Sequence, residues 1–598
     1  MIHALSRKAA FAVPLAALTL AVSSAFAAPV PGPSGSAFYN APATIPAGEH
    51  GDLIQYLPTT LNLGADTPQH NAWTVMYQSR DVNNKATVST GTVIVPKNAA
   101  PVGVIMYAMG THGLGNDCAP SKQMVSGNDY EAANVAAALK AGYAVLVSDY
   151  VGYTNGATPR YMAGASQGRN TLDMFRAATQ IPSVGIDAAS KVAIWGYSQG
   201  GQTAAFAAEL APTYTPTLNV VGVAHGGTPS DFFAVSRYLN KANGMAFFLK
   251  AMSGLATEYG PVRMPVTLAL NPAGQQMLKE IRTECVFKAL FKYQNKDVAE
   301  YMNNGLTLDD LIGGGLNGVP QVLEEQAVGK TKVNVPMYQF HGKADEFIPL
   351  DQAFKVKQAY CAKGTTVSFD AYPSEHIATL FQAGPAVLSW INDRFAGKQA
   401  PNSCSNNTAP VSTAFSNTGN LTVRMDKWPL AAKVDLKTLK QTVVLPQGTT
   451  FSADADVTAQ QLVNGSLYVP KFSQSLKLLG IGAQIALVIE PTGPITGKVS
   501  LDDQGILRIK DGMAQTNITV ASVWGIPFGQ CKTEKPVDFP LNFEGPISSL
   551  GNGQITFTGT TSFPMIKGCI ISAIVSAFMT GSGQAYTFNL QLPPATPN

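Results

Sequence analysis

The sequence predicts two structural units, an α/β domain followed by an all-β domain. Its 598 residues are too many for one ordinary hydrophobic core. Over residues 88–395 short apolar runs alternate with helical patterns, which is typical of a mostly parallel sheet covered by helices. Beyond residue 415 the apolar residues recur with a period of two, which indicates strands. We therefore expect an α/β domain over residues 28–404, a linker over 405–414 rich in Asn and Ser, and an all-β sandwich or barrel over 415–598.

The first 27 residues have the features of an export signal. Arg7 and Lys8 precede an apolar stretch over residues 9–22, and Ala25 and Ala27 supply the small side chains that a signal peptidase requires. We expect cleavage after Ala27 and a secreted protein, extracellular or periplasmic. The apolar stretch is too short to span a bilayer, and so is the apolar run over residues 566–579, so we expect no transmembrane segment.

Composition excludes some partners and predicts disulfides. Charged residues make up 13% of the chain, the net charge is +3 and no basic run occurs, so a nucleic-acid partner is not expected. An even number of cysteines in an exported chain fits a disulfide set, whereas the absence of CxxC spacing argues against zinc or redox chemistry. Counting alone leaves their pairing open. The six are Cys118, Cys285, Cys361, Cys404, Cys531 and Cys569.

The elements of the α/β domain follow from its periodicity. Strands are predicted at residues 92–95, 102–108, 144–148, 191–195, 220–224, 335–340 and 366–371, and helices at 130–141, 171–178 and 202–210. The stretch over residues 226–334 interrupts this rhythm with helical patterns at 232–249, 273–291 and 297–302. An insertion of this size between two strands of a sheet predicts a helical cap.

A short motif predicts a nucleophile. Gly196-Tyr197-Ser198-Gln199-Gly200 matches the pattern G-x-S-x-G, in which a serine sits on a strained turn between a strand and a helix. Glycine-rich chains contain this pattern by chance, but here a predicted strand precedes it and an Ala-rich helix follows it. The sequence therefore predicts an α/β-hydrolase sheet with Ser198 as its nucleophile.

A serine needs a base, and the base needs an orienting acid. In this fold the chain order is Ser, acid, His. Asp345 follows the strand at 335–340, and Glu346 beside it is the competing candidate; we favour Asp345 because it lies nearer the strand end. His376 is the only histidine that follows Asp345 in the chain, so the base is assigned by elimination.

An oxyanion hole requires two backbone N–H donors directed at the developing negative charge. One is expected from Gln199, directly after the nucleophile, and the second from the Gly-rich loop after the strand at 102–108, at Met109 or Gly110. His225 and His341 follow strands at the same rim, and we interpret them as hydrogen-bonded structural residues. No cluster of Cys, His and carboxylate residues has the spacing of metal ligands, so neither a catalytic metal nor another cofactor is expected.

Four segments over residues 40–404 resemble the secretory lipase family. They are residues 107–121, which end in Cys-Ala-Pro-Ser; Ser148 to Gly152; the serine motif at 196–201; and Gly226-Gly227-Thr228-Pro229. The resemblance implies the triad of Ser198, Asp345 and His376, a cap over the site, and activity on carboxylic esters, typically lipids. It also implies the pairs Cys118–Cys285 and Cys361–Cys404, which leaves Cys531–Cys569 for the all-β domain. That domain lies outside the resemblance.

These observations predict a secreted ester hydrolase of the lipase or esterase type that works through an acyl-enzyme without a cofactor. The expected substrate is an ester or lipid, with a lipid–water interface or a polymer surface as a further partner. Two alternatives remain open. The triad also fits a secreted serine peptidase on the same fold, and the fold also occurs in binding proteins without activity.

Overall fold

The computed structural model describes residues 29–593 except 415–416, 479, 552 and 554. The predicted export signal lies outside the described residues. The first unit is built on one sheet of ten strands. They are β1 Val30–Pro31, β2 Leu53–Pro58, β3 His70–Arg80, β4 Ala86–Pro96, β5 Val104–Ala108, β6 Ala144–Val151, β7 Val192–Tyr197, β8 Val220–Gly226, β9 Met337–Gly342 and β10 Val367–Tyr372.

The strands lie in the order β1-β2-β3-β4-β6-β5-β7-β8-β9-β10. From β6 to β10 every neighbouring pair is parallel, whereas β2, β3, β4 and β6 pair antiparallel. The parallel strands are buried on both faces, which explains their continuous apolar runs. No strand was predicted before residue 88, so β1 to β3 were missed: β1 has only two residues, and β2 and β3 have polar residues among their apolar ones.

The α-helices of the described residues form the two layers on this sheet, the cap, and one helix of the all-β unit. They are α1 Pro120–Ser126, α2 Ala132–Lys140, α3 Gly164–Thr179, α4 Gln199–Tyr214, α5 Phe232–Leu239, α6 Met245–Glu258, α7 Gly260–Ala269, α8 Pro272–Ile281, α9 Val286–Tyr293, α10 Leu308–Asp310, α11 Val319–Glu325, α12 Leu350–Ala362, α13 His376–Gln382, α14 Gly384–Phe395 and α15 Ser572–Met579. Helices α3, α4 and α12 cover one face of the sheet and α2 and α14 the other. The predicted α/β-hydrolase architecture is thereby confirmed.

The cap lies between β8 and β9, as predicted, but its helices are shorter. The helix predicted over residues 232–249 is two helices, α5 and α6, and the one over 273–291 is α8 and α9. The predictions were wrong at Asn240–Gly244 and at Arg282–Cys285, where the chain turns so that each helix can pack its own apolar face. The segment predicted at 297–302 is a single 3₁₀ turn, Val298–Tyr301.

The all-β unit is one 13-stranded antiparallel sheet. Its strands are β11 Thr422–Leu436, β12 Gln441–Val444, β13 Thr450–Asp456, β14 Gln461–Tyr468, β15 Phe472–Leu478, β16 Ile481–Pro491, β17 Ile495–Leu501, β18 Ile506–Val523, β19 Gly529–Thr533, β20 Val537–Pro546, β21 Ile555–Phe563, β22 Ile566–Cys569 and β23 Gly581–Leu590. Strand β20 pairs with β18, while β21 stands at the other end of the sheet path. The Thr561 hydroxyl of β21 donates to the Asp538 carbonyl of β20 over 2.7 Å, so the sheet curls round to bring these two strands together. Of the two predicted architectures, this arrangement favours a barrel.

The three disulfides have the pairing that the resemblance implies: Cys118–Cys285, Cys361–Cys404 and Cys531–Cys569. The first joins the loop after β5 to the cap, and the third joins β19 to β22. Among the described residues, no helix combines the length and the hydropathy needed to cross a bilayer.

Candidate active site

Ser198 lies between β7 and α4 in a strained conformation, with φ 58° and ψ −121°. Such a conformation costs a non-glycine residue free energy, so it persists only where the surrounding structure holds it in place. The flanking glycines show how tight these surroundings are. A Cβ on Gly196 would lie 2.1 Å from the Gly200 carbonyl oxygen, and one on Gly200 would lie 1.9 Å from that of Ala108. The glycines of the motif therefore allow β5, β7 and α4 to meet at Ser198.

His376 and Asp345 form a buried pair beside this turn. His376 begins α13 and Asp345 follows β9, and Asp345 Oδ2 lies 2.6 Å from His376 Nδ1. The other carboxylate oxygen, Oδ1, accepts the N–H groups of Phe347 and Ile348 at 2.9 and 2.8 Å. The carboxylate is thus fixed on one side by backbone donors and directs its other oxygen at the imidazole.

The two charges shift each other's pKa. Burial alone would raise the pKa of Asp345, but the charge of His376 and the hydrogen bond to it outweigh burial and lower it. Burial alone would lower the pKa of His376, and Asp345 reverses this and raises it. Both shifts favour an ionised carboxylate that stabilises a protonated imidazole.

Glu346, the competing acid, has a different contact. Its Oε2 accepts the backbone N–H of His376 at 2.9 Å and so holds the start of α13. Burial and the adjacent charge of Asp345 raise the pKa of Glu346 to about 8, so this carboxyl is mostly neutral at pH 7. The geometry therefore favours Asp345 as the partner of the imidazole ring.

His225 and His341 are buried structural residues. His225 Nδ1 lies 2.9 Å from the hydroxyl of Thr228, and burial lowers the pKa of His225 to about 3. His341 Nε2 lies 3.0 Å from the Ile348 carbonyl oxygen and 3.4 Å from Asp345 Oδ2. His341 therefore packs behind the acid, where burial lowers its own pKa.

The two candidates for the second oxyanion donor differ in their hydrogen bonds. The amide of Gly110 donates to Glu131 Oε1 over 2.6 Å, so this donor is already engaged. The carbonyl of Met109 accepts the Tyr150 hydroxyl at 2.9 Å, which fixes the peptide from the opposite side. These contacts favour Met109 over Gly110.

Met109 lies against the start of α4. A Cβ on Gly200 would stand 2.9 Å from the carbonyl carbon of Met109, so the loop and the first turn of the helix are in backbone contact. The first N–H groups of a helix have no partner within the helix, and Gln199 supplies the first of α4. The loop thus brings Met109 next to Gln199.

Sequence reasoning missed the acids that hold this loop. The buried Glu131 accepts the hydroxyl of Tyr107 at 2.6 Å besides the Gly110 amide, and burial raises the pKa of Glu131 to about 7. Next to it, His112 Nε2 lies 3.1 Å from the carboxylate of Asp129. Burial alone would lower the pKa of His112, but the carboxylate outweighs it and raises the value to about 9. The only signal was the acidic residues just before α2.

Two of the motifs that carry the resemblance bind each other. Asp149 Oδ1 accepts the backbone N–H of Ser121 at 2.8 Å, and Oδ2 accepts its hydroxyl at 2.5 Å and that of Thr90 at 2.7 Å. The serine that ends Cys-Ala-Pro-Ser is thereby tied to the aspartate that follows Ser148. The residue after this aspartate, Tyr150, has φ 65° and directs its hydroxyl to the oxyanion loop.

Ser198, Gln199 and His376 line one cavity beneath the cap. A second cavity, of about 70 Å³, lies within the cap and is lined almost wholly by apolar side chains. Four residues line both: Phe232, Ser236, Phe248 and Ala251. The two cavities therefore adjoin at these side chains, and the one in the cap has room for only a few water-sized groups.

The all-β unit contacts the segment that carries His376. Glu375 Oε1 accepts the backbone N–H of Arg424 at 3.0 Å, and the Gln382 side chain donates to the Pro593 carbonyl over 2.8 Å. These contacts hold α13 at both ends.

The chain is similar to several known proteins. The family model for secretory lipases matches residues 119–403. Lipase A of Moesziomyces aphidis is 30% identical over 405 aligned positions, which cover 64% of this chain and 86% of that protein. A secreted triacylglycerol lipase of Malassezia furfur is 25% identical over 383 positions, covering 61% of this chain and 77% of that protein. Among solved structures, Candida antarctica lipase A in its closed state matches with a TM-score of 0.56 and 26% identity, covering 63% of this chain and 90% of that one.

Proposed function

This chain belongs to the secretory lipase family and is a lipase-like ester hydrolase, and we propose that it cleaves carboxylic esters through a triad of Ser198, His376 and Asp345. One observation carries the proposal. The Asp345 carboxylate lies 2.6 Å from His376 Nδ1, and the cavity that His376 lines is also lined by the strained Ser198.

In this mechanism His376 is the general base. Asp345 accepts the Nδ1–H and keeps Nε2 free to take the Ser198 proton as the hydroxyl oxygen attacks the ester carbonyl. The carbonyl π bond breaks toward oxygen and gives a tetrahedral oxyanion. When the C=O bond re-forms, the ester C–O bond breaks and the imidazolium gives its proton to the departing alcohol. Water then attacks the acyl-enzyme in the same way and releases the acid.

The oxyanion of each tetrahedral intermediate is stabilised by backbone donors. We assign these to the amides of Gln199 and Met109, because the loop after β5 packs on the first turn of α4. Gly110 has a positioning role instead, since its amide is bound to Glu131.

The substrate that fits best is an ester with an apolar acyl chain. The cap cavity that adjoins the one at Ser198 has aliphatic and aromatic walls, which suit an alkyl chain and offer a charged group no partner. Because the cavity in the cap is small, a long chain requires the cap helices to separate.

We also propose that residues 1–27 direct export and are removed after Ala27. The secreted relatives support release to the extracellular side, and nothing supports retention in a periplasm.

The test compares p-nitrophenyl esters of several acyl lengths with peptide anilides, using the wild type and Ser198→Ala. We expect the wild type to hydrolyse the esters. In Ser198→Ala the rate of ester hydrolysis should fall by about 10⁴-fold or more. Turnover of anilides alone would favour a peptidase on the same fold. A wild type that is inert toward both and is not labelled by a fluorophosphonate would be a binding protein without activity.

A further inference from the structure

One end of the all-β unit exposes a group of apolar side chains that nothing in the hydrolase fold uses. We name this group the apolar tip; it consists of Ile481, Trp524, Ile526, Ile570 and Ile574. Ile570 is 95% exposed and Trp524 is 55% exposed. Water-exposed isoleucine and tryptophan at adjoining sites are costly for a monomeric protein unless they contact a partner.

The backbone brings the members of the tip together. The Trp524 indole N–H donates to the Gly482 carbonyl over 2.9 Å, next to Ile481, and the adjacent Val523 bridges to Ile526. Strand β19 pairs with β22, and the disulfide Cys531–Cys569 joins the same strands directly before Ile570. Segments that are distant in the sequence thus meet at one end of the sheet.

The tip is held rigidly on the unit beneath it. The Ser576 hydroxyl bonds both the N–H and the carbonyl of Ile566, which ties α15 to β22. Val575 and Met579 of this helix are buried, while Ile574 faces outward. A surface that is already ordered loses little conformational entropy when it binds.

The tip itself is uncharged and lysines lie at its border, a distribution of charge that suits a lipid surface. Residues 478–489, 512–531 and 568–598 contain no charged side chain. Lysines border these segments: Lys477 pairs with Gly482 across the β15–β16 ladder, and Lys532 pairs with Lys567 across β19–β22. The last two also lie near carboxylates, Lys532 at 3.8 Å from Glu490 and Lys567 at 2.7 Å from Glu534. Isoleucine and tryptophan bordered by lysine suit the boundary between acyl chains and headgroups.

We propose that the apolar tip docks the enzyme on a lipid–water interface, as a site separate from the triad. The exposed isoleucines enter the acyl layer, Trp524 lies at the headgroup level, and the lysines remain in the aqueous layer. A chain of the lipase family meets its substrate at such an interface, so this contact concentrates the hydrolase where its ester is. The vesicle binding that follows does not depend on hydrolysis, and it can fail or succeed independently of the triad.

The test uses the full chain with Ile526→Ser, Ile570→Ser and Ile574→Ser combined, which leaves Trp524 as a reporter. The matched control combines Val30→Ser, Val102→Ser and Val411→Ser, three exposed valines away from the tip. Sedimentation with phosphatidylcholine vesicles, with and without phosphatidylglycerol, gives the partition coefficient. We expect the tip variant to lose about tenfold to a hundredfold in partitioning and the control to match the wild type.

Two further readouts keep the proposal falsifiable. Brominated phosphatidylcholine should quench Trp524 in the wild type, and Trp524→Phe should abolish that change. Hydrolysis of a soluble short-chain ester should be the same in the tip variant and the wild type, while hydrolysis of an emulsified triglyceride falls. Equal vesicle binding by both proteins would overturn the proposal. The proposal would also be overturned if the wild type were a dimer and the tip substitutions dissociated it without changing vesicle binding.

Discussion

Replacing Asp345 by asparagine tests how the imidazole is oriented. Oδ1 of the new side chain still accepts the N–H groups of Phe347 and Ile348, so its position is kept. At the position of Oδ2, 2.6 Å from His376 Nδ1, an NH₂ group now donates where a carboxylate accepted. The ring must accept this hydrogen bond at Nδ1 and carry its proton on Nε2, so it no longer takes a proton from Ser198.

The expected cost follows from the loss of the base. With the wrong tautomer and without the stabilising charge, kcat should fall by about 10⁴-fold, or about 5.5 kcal/mol in the barrier. Stopped-flow or steady-state hydrolysis of a soluble p-nitrophenyl ester measures kcat, and circular dichroism checks the fold.

Glu346→Gln is the matched control. At pH 7 the Glu346 carboxyl, with its pKa raised by burial to about 8, is mostly neutral, and glutamine preserves the acceptor for the His376 N–H. We expect Glu346→Gln to stay within about tenfold of the wild type. The reasoning is refuted if Asp345→Asn retains full activity, or if the two variants lose activity equally.

Three more predictions follow from the same contacts. The acid limb of kcat/KM should have its midpoint above about 6.5, because Asp345 raises the pKa of His376 and activity requires the neutral ring; a midpoint below that value in a pH–rate profile would contradict the pairing. Gly200→Ala should reduce kcat by about 10²-fold or more, since its Cβ would overlap the Ala108 carbonyl and push the oxyanion loop away; unchanged ester kinetics would argue against that contact. Removing the Cys118–Cys285 disulfide by serine substitution should cost about 2–5 kcal/mol, read from guanidinium unfolding, and an unchanged midpoint would count against a structural role.

Much of the hydrolase could be predicted from the sequence because its signals are local. A strand, a glycine-bounded serine and a helix occur within some twenty residues, and the order of acid and histidine along the chain follows from the fold. The single histidine after Asp345 left no choice of base. The structure brings it to the predicted acid and to the cavity that Ser198 lines.

What escaped prediction depends on contacts between distant segments. Glu131 accepts a hydrogen bond from the Gly110 amide, 21 positions away in the sequence, and no periodicity of the sequence indicates such a bond. The breaks within the cap helices arise because each short helix turns its own apolar face to a shared core. Strand β1 is a two-residue strand at the edge of the sheet, and β2 and β3 pair antiparallel next to it, so these strands do not give the pattern of buried parallel strands.

The most direct test of the account is the site of a covalent inhibitor. The protein would be inactivated with diethyl p-nitrophenyl phosphate and then digested. Mass spectrometry would identify the peptide that carries the diethylphosphoryl group. We predict one adduct per chain, on Ser198, with no labelling of Ser198→Ala and slow labelling of Asp345→Asn. An adduct on another residue, or full ester hydrolysis by Ser198→Ala, would contradict it.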